Sequence, residues 1–265
     1  MTLKIVVTAK QVIDPETPTS AFGIDSNIVT VPANQAPVVN GFDEQAIEAA
    51  LRLKEASGDA HVTVLSVGKG FALDIIKKPL AMGVDELVLL DDPAFSNTID
   101  PTVTIAVLAA AINKIGSVDI VLAGRQASDW DNAQVPIGVA EALGWPVATV
   151  AKKVDIKDSI LRVERVLPDG HEVVEADLPA VVTISNELGT PRYPNMRGIM
   201  AARRVQPVVW SAADIGLDLA SLKPAFELVS LSKPQSAVET EMITGDDDED
   251  AGRKLAQRLR DERII

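Results

Sequence analysis

Apolar and polar positions follow a repeating order along the chain. Leu3–Ala9 is an apolar run rich in β-branched residues, with the length of a buried strand. The next stretch, Gln11 to Asn40, is polar and punctuated by Pro15, Pro18, Pro32 and Pro37, and within it Asp25–Val31 predicts a short edge strand. From Asp43 to Ala56 the apolar residues Ala46, Ile47, Ala50, Leu51 and Ala56 return with helical spacing. Glu48 and Arg52 stand four residues apart there, and Asn40-Gly41-Phe42 supplies the starting turn.

The order then repeats. His61–Val67 predicts a strand ending in Gly68-Lys69-Gly70, followed by a helical stretch to Met82 in which Pro79 predicts a kink or break. Asp85–Leu90 is a third strand, Pro101–Ile115 a helix with proline in its first turn, and Val118–Ala123 a fourth strand. The polar loop Gly124–Asp131 leads into a helix over Ala133–Leu143. Strands that are apolar throughout, alternating with helices, predict a mainly parallel sheet with helices on both faces. The fold class is α/β.

After Trp145-Pro146 the pattern changes to short strands at Val147–Val154, Ile160–Leu167 and Glu172–Ala176, the last two joined by the turn Pro168-Asp169-Gly170. This predicts a short antiparallel hairpin region, from which Ala180–Ser185 returns to the main sheet. Asn186–Arg204 reads as a long loop with a short helix near Ile199–Ala202. From about Ser211 the chain is irregular, and it ends in the acidic run Asp246–Asp250 and a helix over Ala251–Ile265. The predicted organisation is an α/β domain over 1–220 and a C-terminal extension over 221–265.

Composition narrows the chemistry. The 265 residues contain no cysteine and two histidines, His61 and His171. That excludes disulfides, thiolate metal sites, thiol catalysis and cysteine-ligated iron–sulfur clusters, and leaves little room for a histidine metal site. The net charge is −13, with 38 acidic against 25 basic residues. Only five of the excess negative charges lie in Asp246–Asp250, so the acidity is general. It argues against a nucleic-acid partner, which needs Lys and Arg to neutralise phosphates. No stretch approaches the roughly 20 apolar residues of a membrane span, which points to a soluble, cytoplasmic protein without membrane insertion.

In open α/β sheets ligands lie beyond the carboxyl ends of the strands, where strand order reverses. Three loops qualify: Ala9-Lys10-Gln11, Ser66–Gly70 and Gly124–Val135. In the last, polar side chains can read a base or ribose, and the helix start near Asn132–Val135 offers N–H groups to a phosphate. The same spacing suits a plain strand-to-helix turn with Asp131 or Asn132 as N-cap. Gly68-Lys69-Gly70 lacks both the full dinucleotide glycine pattern and the phosphate-loop pattern. The loop Pro191–Met200 holds the sole tyrosine with Arg192, Arg197, Met196 and Met200, residue types enriched at interfaces. It also suits a loop packed on its own core.

Several ordered motifs resemble the β subunit of electron transfer flavoproteins over nearly the whole chain. They are Lys10-Gln11-Val12-Ile13-Asp14; Asn40-Gly41-Phe42-Asp43-Glu44 with Ala49-Ala50-Leu51; and Ala81-Met82-Gly83-Val84-Asp85. Further along come Gly124-Arg125-Gln126-Ala127 with Asp129, Asp131 and Ala133-Gln134-Val135; Val163-Glu164-Arg165 through Leu178-Pro179; and Pro191-Arg192-Tyr193-Pro194 with Gly198-Ile199-Met200. The resemblance implies an electron carrier rather than an enzyme in its own right. Its partner would be an α subunit that mainly holds FAD, and this chain would bind AMP or, in electron-bifurcating members, a second FAD. It implies that Ala9, Asn40, Ser66, Gly68, Gln126, Asn132, Ala133, Gln134 and Val135 line the nucleotide site, with Lys10, Asp43, Gly124 and Asp129 of the same motifs. It also implies that Pro191, Arg192, Tyr193, Met196, Arg197 and Met200 dock an acyl-CoA or related dehydrogenase, with electrons passing on to a quinone reductase or other acceptor. Trp130, Asn132 and Pro136 depart from the family's usual residues in the nucleotide loop. A free-standing nucleotide-binding regulatory protein of similar fold is the alternative. An adenylating enzyme would need a Ser-Gly-Gly phosphate loop, which the sequence lacks.

Overall fold

A computed structural model describes residues 2–95, 99–218, 220, 222, 224–225, 227–233 and 240–265. The elements in chain order begin with β1 (Leu3–Thr8), β2 (Gln11–Val12), β3 (Gly23–Asp25), β4 (Ile28–Thr30), β5 (Val38–Val39), α1 (Gly41–Ser57) and β6 (Ala60–Gly68). Then come α2 (Leu73–Ile76), α3 (Lys78–Met82), β7 (Glu86–Asp91), α4 (Pro101–Ile115), β8 (Ile120–Gly124) and α5 (Val135–Leu143). The remainder are β9 (Val147–Lys157), β10 (Ile160–Leu167), β11 (Gly170–Asp177), β12 (Ala180–Ile184), α6 (Met196–Arg204), β13 (Val208–Trp210) and α7 (Asp248–Asp261). By their contacts they fall into two compact units, Met1–Ser230 and Leu231–Ile265. No helix of the described residues is long and apolar enough to cross a membrane.

The main sheet of the first unit has the order β11-β10-β9-β12-β8-β1-β6-β7-β13. Pairing is parallel from β9 to β13 and antiparallel between β9, β10 and β11. The continuous apolar runs follow from burial on both faces. In β1, Ile5 and Val7 pack with Ile47, Ala50 and Leu51 of α1, while Val6 between them packs with Val107 and Ile112 of α4. β8 divides its side chains in the same way, Ile120 and Leu122 to the first cluster and Val121 to the second. Each such side chain contributes about 1.5–3 kcal/mol when fully buried, so a one-residue slip in register is heavily disfavoured.

The chain runs from β1 outward through β6 and β7, then returns to place β8 on the other side of β1. Connections therefore leave β1 and β8 in opposite directions, opening a crevice at their carboxyl ends. At the amino end of α4 the buried Asp100 accepts the Thr102 N–H at 2.9 Å, capping the helix.

Local features depart from the sequence expectation in several places, and the break expected near Pro79 is present. Residues 23–30 form a hairpin, β3–β4, rather than one edge strand, because Ser26 and Asn27 both take positive φ (51° and 63°) and reverse the chain. The stretch before Met82 breaks at Lys77 into α2 and α3, with Pro79 in the first turn of α3, where its missing N–H costs nothing. The helix near Ile199–Ala202 extends over Met196–Arg204, because Asn195 accepts the Gly198 N–H at 2.8 Å and starts it a turn earlier. Val208–Trp210, which the pattern left unassigned, adds a strand beside β7.

Candidate functional site

The first turn of α1 organises the crevice. Asn40 stands at the N-cap position but does not cap the helix with its side chain. Its backbone N–H donates to Lys10 O at 2.9 Å, its Nδ2 donates to Gln126 O at 2.8 Å, and its Oδ1 accepts the Ser128 N–H at 3.2 Å. A fully buried side chain thus replaces a strand neighbour for the loop that follows β8.

Asp43, three residues on, binds both strand ends. Its Oδ2 accepts the Lys10 N–H at 2.7 Å and its Oδ1 the Gly124 N–H at 3.2 Å. Burial pushes its carboxyl up to about 7, against the opposing pull of the N–H donors, Asn40 and the Lys10 charge. Gly124 admits this contact because it has no side chain: a Cβ there would lie 2.4 Å from Asp43 Oδ1 and 2.7 Å from the Phe42 carbonyl carbon.

The loop after β8 is held over the crevice by an ion pair, Lys10 Nζ to Asp129 at 2.6 Å, and by Gln126 Nε2 donating to Asp131 Oδ1 at 2.7 Å. The Arg125 guanidinium stacks 4.8 Å from the centre of the Phe42 ring. Asp131 and Ala133 take positive φ of 51° and 54° on either side of Asn132, turning the backbone before α5 begins. The first N–H groups of α5 have no intrahelical partner, and its early Pro136 contributes none.

These elements enclose one cleft. Of the residues expected at a nucleotide site, Ala9, Lys10, Asp43, Gly124, Gln126, Asp129, Asn132, Ala133, Gln134 and Val135 line it, together with Trp130 and Pro136. Asn40, Ser66 and Gly68 stand outside its lining. Asn40 shapes the loop from beneath. Ser66 is fully buried near the end of β6, its Oγ without a hydrogen-bond partner among the described residues, and Gly68 lies against the Phe71 ring.

Val67, within the expected loop Ser66–Gly70, belongs to the apolar part of the wall, but Leu65, Pro101 and Leu108, with Thr104 among them, did not emerge from the sequence. Pro101, Thr104 and Leu108 recur at helical spacing, and the polar Thr104 within that apolar stripe is the one signal the sequence carried for it.

The second expected set, Pro191–Met200, lies elsewhere on the unit. Tyr193 is 90% exposed and Met196 73%, and Arg197 and Met200 are also exposed. Arg192 turns the opposite way, onto Glu48 and Glu55 of α1, and Pro191 beside it is half-buried. Gly198 lets α6 approach α3 closely, since a Cβ there would meet Ala81 O at 2.3 Å. Neither histidine lines the cleft. His61 lies within 4 Å of Asp85 and Glu86 at the start of β6, and His171 is exposed in the β10–β11 hairpin.

The sequence profile of the electron transfer flavoprotein domain matches residues 28–215. Over 268 residues the chain is 38% identical to the caffeyl-CoA reductase-Etf complex subunit CarD of Acetobacterium woodii, covering 99% of this chain and all of that one. It is 41% identical over 221 residues to the electron transfer flavoprotein subunit beta of Clostridium acetobutylicum, covering 83% of each. The subunit of the same name from Thermoanaerobacterium thermosaccharolyticum is 37% identical over 269 residues, covering 99% of this chain and all of that one.

Proposed function

The chain belongs to the electron transfer flavoprotein β-subunit family, and from that premise we propose that it holds AMP or a second FAD in the cleft beyond β1 and β8. In this reading it is one half of a heterodimer whose α subunit holds the redox FAD, and the extension 221–265 packs on that subunit. The flavin supplies the electron chemistry when bound, and the residues of this chain bind, orient and shield.

The observation that carries the reading is the convergence of three unlike surfaces on one crevice. Leu65, Val67 and Leu108 offer an apolar wall, Lys10, Gln126 and Asn132 offer polar side chains, and the start of α5 offers unpaired N–H groups. An apolar face for a planar base, polar groups for a sugar and backbone donors for a phosphate are what an adenine nucleotide requires. Residues Tyr193, Met196, Arg197 and Met200 then meet an acyl-CoA or related dehydrogenase, from which electrons pass by way of FAD to a quinone reductase or another acceptor.

Purifying the chain with its α subunit and quantifying bound flavin and AMP tests this. One FAD with one AMP per heterodimer is the outcome for plain electron transfer. Two FAD per heterodimer points to bifurcation, and no nucleotide attributable to this chain overturns the assignment of the cleft.

A further inference from the structure

β1 and β8 are neighbours in parallel register up to the Thr8–Ala123 pair. Just beyond it, one amide from each side, that of Lys10 and that of Gly124, turns to the same carboxyl group, Asp43 of α1. The carboxyl is nearly inaccessible and takes one amide on each oxygen. An ionised carboxylate accepts strongly on both oxygens, and protonation puts a hydrogen on one of them and leaves it a much poorer acceptor for its amide. Both strand ends carry the cleft: Lys10 reaches across it to Asp129, and Gly124 begins the loop that bears Gln126.

We propose that Asp43 is a positioning residue whose ionised carboxylate holds the ends of β1 and β8 at the spacing that retains an adenine nucleotide, and whose protonation releases that spacing. The inference rests on the nucleotide reading of the cleft. Burial raises the Asp43 carboxyl to about 7, which places the change within the physiological range. The charged groups around it are otherwise committed. Lys10 from the end of β1 pairs with Asp129, Arg125 from the loop after β8 lies on the Phe42 ring, and Glu44, next to Asp43 on α1, pairs with Lys78 of α3. Neither histidine lines the cleft, so a response near neutral pH there has Asp43 as its source.

The test is calorimetric binding of adenosine and AMP to the nucleotide-stripped full chain at pH 6 and pH 8, in the wild type and in Asp43→Asn. Adenosine is the deciding probe, because the AMP phosphate itself titrates at about pH 6. The wild type should bind adenosine about tenfold more weakly at pH 6 than at pH 8, the size of one lost charge-assisted hydrogen bond. Asp43→Asn, which places an amide N–H against a backbone N–H, should bind weakly at both. A wild-type affinity that does not change with pH, or a variant that keeps the wild-type response, overturns the proposal. If neither ligand binds at any pH, the nucleotide reading fails, and the backbone N–H resonances of Lys10 and Gly124 in the wild type then decide. Titration of both with one shared midpoint near neutrality sustains the clamp, and two resonances that do not move refute it.

Discussion

Arg192 and Glu48 lie 144 residues apart in sequence and meet at three points. The Arg192 Nε donates to Glu48 Oε2 at 2.8 Å, its Nη2 donates to Oε1 at 3.3 Å, and its backbone N–H donates to Oε2 at 3.0 Å. The exposed loop that presents Tyr193 and Met196 is therefore anchored at its base to α1, the helix whose first turn holds the cleft together.

Removing the guanidinium should loosen that anchor without unfolding the chain, because Arg52 still donates to Glu48 at 2.8 Å. Arg192→Ala should lose about 1–3 kcal/mol, less than breaking a buried pair with no second partner. Burial pushes the Glu48 carboxyl up, but the hydrogen bonds from Arg192 and Arg52 outweigh it and leave the group below its usual range. A depressed carboxyl stabilises the fold above its unfolded value near 4.5, and that contribution fades as pH falls through the folded value. Urea unfolding should accordingly show a gap between wild type and Arg192→Ala at pH 7 that narrows in acid. A gap that is constant down to pH 3 would place its origin outside this ion pair.

Gly124 is the second point of weakness. A methyl group there would fall 2.4 Å from Asp43 Oδ1 and 2.8 Å from Asp43 N, and both belong to a buried helix start that has nowhere to retreat. Gly124→Ala should cost about 2–3 kcal/mol, toward the upper end for overpacking, and should weaken nucleotide retention with it. Gly58→Ala makes a useful control: it has open space around it, and its cost should come only from its positive φ of 71°. Thermal melts of the two variants side by side check this; equal losses would mean that the approach to Asp43 is not what demands glycine at 124.

What the sequence disclosed, and what it did not, follows from the range of the forces involved. β1 and β8 were legible as largely apolar runs because both faces of these strands are buried, and β6 was legible despite His61, Thr63 and Ser66 because its remaining residues are apolar. The reversal at Ser26-Asn27 has a local signal in Asp25-Ser26-Asn27, residue types common in turns, but no glycine fixes its position. Gly124–Val135 stood out as a polar loop between a strand and a helix. The part of the wall from α4 did not, since Leu108 in an apolar stripe reads as core. The pairing of Arg192 with Glu48 and Glu55 was illegible, because no local pattern marks a guanidinium whose acceptors sit on a helix so far back in the chain.

The exposed residues of that loop carry their own prediction. Tyr193 and Met196 present large side chains to solvent, and their truncation removes no buried contact of the unit. Tyr193→Ala with Met196→Ala should leave stability within about 0.5 kcal/mol and leave flavin content unchanged; under the docking proposed above, electron delivery from a partner dehydrogenase should fall at least about tenfold, as for the loss of an interface anchor. Stopped-flow reduction of the heterodimer's flavin by the dehydrogenase measures it. Unchanged transfer would count against docking at this loop.

Asp43 has a stability signature separate from its effect on ligand binding, and with the opposite sign to that of Glu48. Its carboxyl titrates at about 7 in the folded protein against a reference of 3.8, so the folded state holds a proton across that window that the unfolded chain has released. The resulting stabilisation is present below the unfolded value and is lost as pH rises through the folded one, at a limiting slope of about 1.4 kcal/mol per pH unit. Asp43→Asn has no proton to lose there. The stability of the wild type relative to this variant should therefore decline steadily between pH 4 and pH 7 and level off above that, and equilibrium unfolding of both proteins across the range reads it. The slope also states what the clamp does to the molecule: at neutral pH the protein tolerates a buried charge, and gives up stability, to keep Lys10 and Gly124 bound to one carboxylate. A flat difference across that range would mean that Asp43 ionises as freely in the folded chain as in the unfolded one.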